Sequence, residues 1–129
     1  SYVESNGLSN QTILTGAISN IYDYLIKSKV FVLVSTYEGN PISILEAMDA
    51  GLPIVSSNVV GIPDVVKNNR NGLLFDVDDT NDFIKKVELL LSNESLRRKM
   101  SENNTNDIIK YSMKECSIKY NLLFRESIK

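Results

Sequence analysis

The 129-residue chain contains no histidine and a single cysteine, Cys116. Without histidine the commonest general base and metal ligand is missing, so any chemistry rests on carboxylates, hydroxyls, backbone dipoles or groups of the substrate. One cysteine excludes an internal disulfide and fits a reducing compartment. No apolar run approaches the roughly 20 residues that cross a bilayer. The opening Ser1-Tyr2-Val3-Glu4 does not read as a signal peptide. With 14 basic and 16 acidic residues, a net charge of −2 and no long basic run, nucleic acid is not an expected partner.

What is present is ordinary for one globular α/β domain: 43% hydrophobic and 23% charged residues. The length can bury a core but leaves little room for a second domain. Three Asn-x-Ser/Thr triplets, at Asn10, Asn93 and Asn103, read as chance in an asparagine-rich chain.

Hydrophobic spacing predicts alternating strands and helices. Thr12 to Thr15 reads as a short strand closed by Gly16. Apolar residues Ile21, Tyr22, Leu25 and Ile26 then recur at helical spacing, with Ser19 or Asn20 as N-cap. Val30 to Val34 is a continuous β-favouring run, the pattern of a parallel strand covered by helices on both faces. Asn40-Pro41 starts a helix, Asn40 capping it and Pro41 at its first position, and Gly51 ends it. Pro53 to Ser57 and Gly72 to Phe75 are two further strands, separated by a brief helix that opens at Gly61. Phe83, Ile84, Val87, Leu90 and Leu91 mark an amphipathic helix, and Asn93 to Ile109 a solvated one. A last helix is expected to bury Met113, Cys116, Tyr120, Leu123 and Phe124. The expected fold class is α/β, a Rossmann-like parallel sheet flanked by helices.

In such sheets ligands bind outside the carboxyl ends of the strands. That rule singles out Ser35 to Asn40, Ser56 to Pro63 and the turn after Phe75. The first two are rich in Ser, Gly, Asn and Glu, which suits a polar ligand. The bland alternatives are real: Glu38 as a turn residue, Glu46 as a solvated helix position, Gly61 as a loop start. Ser35, Thr36 and Ser56 read as groups that satisfy backbone at strand ends.

Val30-Phe31-Val32-Leu33-Val34-Ser35-Thr36-Tyr37-Glu38-Gly39-Asn40-Pro41 runs directly into Ile42-Ser43-Ile44-Leu45-Glu46-Ala47-Met48. Ala50-Gly51-Leu52-Pro53-Ile54-Val55, Gly61-Ile62-Pro63-Asp64-Val65-Val66 and Asn71-Gly72-Leu73-Leu74 follow in order. From about Thr12 to Phe124 the chain resembles the C-terminal domain of the group 1 (family 4) retaining glycosyltransferases of GT-B fold. The hallmark of that domain, two glutamates separated by seven residues, is matched by Glu38 and Glu46.

The resemblance implies a nucleotide-sugar donor, here a UDP-sugar, and synthesis of a polysaccharide or lipid-linked glycan. It implies that Glu38 is the catalytic carboxylate facing the donor sugar and that Glu46 holds the ribose hydroxyls. Gly39, Asn40, Pro41, Ile42 and Ser43, at the start of a helix whose positive end suits a diphosphate, and the backbone at Gly61 complete the donor site. The chain departs from its relatives at Val60, where glycine is common, and at Asp64, where glutamate is usual. Relatives work without a bound metal, so no cofactor is expected. Asp76-Val77-Asp78 spells a metal-binding D-x-D, but it lies among acids that favour a helix start and reads as a decoy.

Relatives also have an N-terminal acceptor-binding domain, and their C-terminal domain opens with strands unlike anything before Thr12. On that basis residues 1–129 are expected to be a partial C-terminal domain, inactive alone, with an exposed sheet edge that invites self-association. The glycan or lipid-linked acceptor would bind through the N-terminal domain. The implied location is cytoplasmic, at the inner membrane face. The alternatives kept open are a UDP-sugar 2-epimerase, opposed by the Glu-Gly-x-Pro block and the lack of histidine, and a non-catalytic α/β binding module.

Overall fold

The computed structural model describes residues 1–127, for 120–125 and 127 without their side chains. Three short strands, β1 (Phe31–Leu33), β2 (Ile54–Ser57) and β3 (Gly72–Phe75), form a parallel sheet in sequence order. Phe31 pairs with Ile54, and Ile54 with Gly72. Helix α3 (Ile42–Asp49) joins β1 to β2 and α4 (Ile62–Val65) joins β2 to β3. Two four-residue helices, α1 (Tyr2–Ser5) and α2 (Tyr22–Leu25), precede the sheet. After it come α5 (Thr80–Ser92), α6 (Glu94–Asp107), a 3₁₀ turn (Ile108–Tyr111) and α7 (Met113–Ser127).

Side chains alternate across a strand, so β2 feeds two cores. Ile54 joins Leu74 beneath Ile44 and Met48 of α3 and Ile62 and Val65 of α4. Val55 joins Leu73 and Phe75 beneath Leu90 of α5 and Met100 of α6. Phe75 and Phe83 add a tilted ring contact, centroids 5.0 Å apart. All of β2 and β3 is buried, as expected for parallel strands between two helical layers.

β1 departs from that expectation. Phe31 and Leu33 pack under α3, but Val32 is 40% exposed on the opposite face. Helices α5 and α6 cover β2 and β3 and stop short of it, and among the described residues β1's outer edge has no partner strand. The strand expected at Thr12 to Thr15 does not form: the stretch does not pair with β1's open edge, it is irregular, and Ile13 is 84% exposed.

Other expectations shift for local reasons. The helix expected over Ile21, Tyr22, Leu25 and Ile26 shrinks to α2, which buries only Leu25. Asn20 bonds the Asp23 carboxylate instead of capping. Asn40 does not cap α3, because Pro41 itself takes the N-cap position with ψ 70° and leaves Asn40 one residue too far back. Gly51 does end α3, with φ +71°: its amide bonds Met48 O and that of Leu52 bonds Ala47 O, the paired bonds of a Schellman stop. Met113, expected inside, is 87% exposed and Cys116 is half-buried. Burial of Tyr120, Leu123 and Phe124 lies outside the described residues.

Helix α6 is largely solvated, as its polarity suggests, but it also buries Met100, Asn104 and Asp107. Asn104 is fully buried and its amide donates to Leu52 O (2.7 Å) and Asn71 O (2.9 Å), tying α6 to the starts of β2 and β3. Asp107 accepts from Arg70 Nε (3.1 Å) and Lys110 Nζ (2.5 Å). The first of these bonds, then the second, holds its carboxyl below the usual carboxylate range.

Helix α4 makes one turn, so its last four carbonyls have almost no helical partners. Each is met from outside the helix. Ile62 O accepts from Val66 N (2.8 Å) and Pro63 O from Lys67 Nζ (2.6 Å). Asp64 O accepts from the Tyr111 hydroxyl (3.2 Å) and Val65 O from Asn71 Nδ2 (3.1 Å). So fixed, α4 presses Gly61 against the loop after β1. Gly61 has φ +88°, and a Cβ there would lie 2.2 Å from Glu38 O.

Two stability predictions follow from these contacts. Gly61→Ala must move either backbone, and should lower urea-unfolding stability by about 2–4 kcal/mol through left-handed strain plus the clash; a loss under 1 kcal/mol would contradict the contact. Asp107 has a depressed folded value against an ordinary unfolded one near 4, so its stabilisation is present above about pH 4 and lost as pH falls through the folded value. Arg70→Gln should therefore be less stable than wild type at pH 7, and the gap should narrow in urea titrations taken down to about pH 3. An unchanged gap would show that the pair does not couple to folding.

Candidate functional site

The carboxyl ends of β1 and β2 are joined by hydroxyls where the main-chain ladder stops. Ser56 Oγ donates to Leu33 O (3.0 Å). Ser57 Oγ accepts from Ser35 N (3.0 Å) and donates to Ser35 O (2.7 Å). Both serines are fully buried. Side chains thus extend the β1–β2 pairing by two residues, and the chain beyond Ser35 is released to form the 36–41 loop.

Glu38 lies on that loop, half-buried. Ser35 Oγ donates to Glu38 Oε1 (2.9 Å). The second carboxylate oxygen has no protein partner among the described residues. The close packing of Gly61 on Glu38 O brings the two expected loop positions, one after each strand, into contact.

Of the residues expected at the start of α3, the backbone offers fewer donors than a bare helix end would. Pro41 is buried and has no N–H, and the amide of Ile42 is bent onto Asn40 O (2.8 Å). The amides of Gly39, Asn40 and Ser43 find no protein acceptor among the described residues, and they sit at the positive end of an eight-residue helix. Glu46 is exposed on α3, four residues after the exposed Ile42 and so on the same helical face. Neither Glu38 nor Glu46 is in an ion pair among the described residues. The arrangement is an open ledge with two unpaired carboxylates and three free amides, able to accept from hydroxyls and donate to oxyanions.

Two open depressions lie elsewhere on the described residues. A 290 Å³ cleft at the amino ends of the strands is lined by Lys29, Gly51, Pro53 and Arg97, and a 330 Å³ groove runs between Leu45, Asp49, Ile109 and Tyr111. The D-x-D stretch is occupied with helix initiation: Asp76 Oδ1 accepts from Asp78 N, and Asp79 caps α5 through Asp82 N (2.8 Å).

Sequence reasoning read Ser35 as a backbone-satisfying group, and the structure reverses this. Its main chain is held by Ser57, and its hydroxyl serves Glu38. Ser57 itself was not singled out; the signal for it was the pair of serines closing an otherwise apolar buried strand. Tyr111, Lys67 and Asn71, which hold α4 behind Gly61, have no role assigned from the sequence, although Asn71 opens one of the motif blocks.

Comparison with known proteins places this geometry. The family described as glycosyl transferases group 1 matches residues 1–107. The N,N'-diacetylbacillosaminyl-diphospho-undecaprenol α-1,3-N-acetylgalactosaminyltransferase of Campylobacter jejuni is 34% identical over 114 residues, 88% of this chain and 30% of that protein. The Escherichia coli UDP-Gal:α-D-GlcNAc-diphosphoundecaprenol α-1,3-galactosyltransferase is 35% identical over 108 residues, 84% of this chain and 28% of that protein. The chain thus spans less than a third of the length of these curated relatives. The Staphylococcus aureus TarM structure with fondaparinux, α-GlcNAc-glycerol and UDP superposes with a TM-score of 0.86 at 30% identity, over 95% of this chain and 25% of that one. The chain belongs to the group 1 glycosyl transferases, and its α/β layers are those of the C-terminal domain of a GT-B glycosyltransferase.

Proposed function

We propose that this chain is the donor-binding part of a retaining glycosyltransferase that uses a UDP-sugar. The observation that carries the reading is the ledge at the carboxyl ends of β1 and β2. The Glu38 carboxylate, bonded by Ser35 and without an ion-pair partner among the described residues, stands there beside free amides of a helix start, on a backbone pinned by Gly61.

In this reading Glu38 is the catalytic carboxylate. It accepts hydrogen bonds from donor-sugar hydroxyls and opposes the positive charge of an oxocarbenium-like transition state. The amides of Gly39, Asn40 and Ser43 receive diphosphate oxygens. Pro41 sets the turn, Ile42 borders the ledge, and the backbone at Gly61 closes its far side. Glu46 accepts from the ribose hydroxyls. The bond from the anomeric carbon to the diphosphate oxygen breaks, and the acceptor oxygen bonds to the same face of that carbon. The departing phosphate takes the acceptor's proton, so neither a protein nucleophile nor a metal cofactor is required.

The acceptor, a polysaccharide or lipid-linked glycan, binds in this proposal to an N-terminal domain outside residues 1–129, which act as a partial C-terminal domain. Support comes from the undecaprenol-linked substrates named for two relatives. The same substrates favour a cytoplasmic location at the inner membrane face. No helix among the described residues is long and apolar enough to cross a membrane. The open edge of β1 is the surface on which the chain would self-associate.

Calorimetric titration of UDP into the chain and into Glu46→Ala tests the reading. Losing charge-assisted bonds to two hydroxyls should weaken UDP binding by about tenfold or more. Equal affinity in both proteins, or no binding by either, would favour a non-catalytic module.

A further inference from the structure

The two hydrogen-bonding systems of Ser35 are separable. Its backbone N–H and C=O are both engaged by Ser57 Oγ, at 3.0 and 2.7 Å, and this clamp fixes where β1 ends. Its hydroxyl takes no part in the clamp and donates to Glu38 Oε1 at 2.9 Å. Removing the hydroxyl therefore leaves the clamp whole and frees only the carboxylate. The Glu38 backbone is independently fixed by Gly61, so what Ser35 controls is the side-chain direction of Glu38.

We infer that Ser35 is a positioning residue: by occupying one oxygen of Glu38 it aims the other at the sugar of the donor. This rests on the donor-site reading above and adds to it a consequence for substrate class. A carboxylate with one oxygen already satisfied by a neutral hydroxyl, and with no cationic partner among the described residues, presents an acceptor-only negative group. Within residues 1–129 it favours a sugar that offers hydroxyl or amide donors and disfavours a uronic acid, whose own carboxylate would face it without a counter-charge from these residues.

The experiment is calorimetry on the full chain with UDP, UDP-glucose, UDP-galactose, UDP-N-acetylglucosamine and UDP-glucuronate. Wild type, Ser35→Ala, Ser35→Thr, Glu38→Ala and the Ser35→Ala/Glu38→Ala double variant are compared. The expected result is that Ser35→Ala binds UDP within twofold of wild type and the best-bound neutral UDP-sugar about three- to tenfold more weakly. Threonine, which keeps the hydroxyl, restores that affinity. In the Glu38→Ala background the alanine change adds nothing, because the group it positions is gone. UDP-glucuronate binds wild type more weakly than the neutral sugars. Equal losses for UDP and UDP-sugar, no loss for either, or a full loss persisting without Glu38 would overturn the role of Ser35 while leaving the donor site standing. UDP-glucuronate binding as tightly as the neutral sugars would overturn the substrate-class consequence. A wild-type chain that binds neither UDP nor any UDP-sugar would overturn both this inference and the reading beneath it.

Discussion

The contact of Gly61 with the carbonyl of Glu38 is the constraint on which the candidate site depends. Two loops that leave adjacent parallel strands diverge unless something joins them, and here backbone meets backbone with no side chain between. Only a residue without Cβ, at positive φ, allows that approach. The ledge is therefore assembled from main-chain geometry first, and its functional side chains are mounted on loops already fixed relative to one another.

That contact is only as firm as what stands behind it. A four-residue helix cannot hold its own shape by internal hydrogen bonds, and α4 borrows stiffness from Lys67, Asn71 and Tyr111. Burial raises the Tyr111 hydroxyl above its usual pKa, so it remains a donor through the neutral range. Asn71 is in turn gripped by Asn104 from α6. One buried oxygen, Asn104 Oδ1, has no partner among the described residues. It is the cost of aiming the amide nitrogen at two carbonyls at once. Polar residues inside α6 thus connect the back of the molecule to the ledge on its front.

Legibility in the sequence followed the range of the interactions. The runs Pro53 to Ser57 and Gly72 to Phe75 were readable as buried parallel strands because composition alone encodes two-sided burial, and Gly51 was readable as a stop because its motif is local. Val30 to Val34 carries the same composition, yet beyond Val30 its second face is open at Val32 and Val34, since what covers a strand is decided by elements far away in sequence. Thr12 to Thr15, likewise, does not pair with β1's open edge. Asn40 was misread by one position because Pro41 changes where the helix begins. At the site, Glu38, Glu46 and Gly61 were found through their motif. Ser56 was readable as a group that satisfies strand-end backbone, and it does so at Leu33 O, but the Ser57 clamp on Ser35 was not, because partners 22 residues apart leave no periodic trace.

The order β1-β2-β3 matches the order of synthesis, and this has a consequence for how the molecule is made. Each strand, as it emerges, finds its neighbour already present, with a single helix spanning the gap. No strand has to wait for a distant one, so loop-closure entropy is small at every step. The loops carrying Glu38 and Gly61 can approach once α4 has been made, but the contact becomes firm only when Asn104 of α6 and Tyr111 arrive behind it. On a translating ribosome the ledge would be laid down early, and the later helices would lock a geometry already chosen.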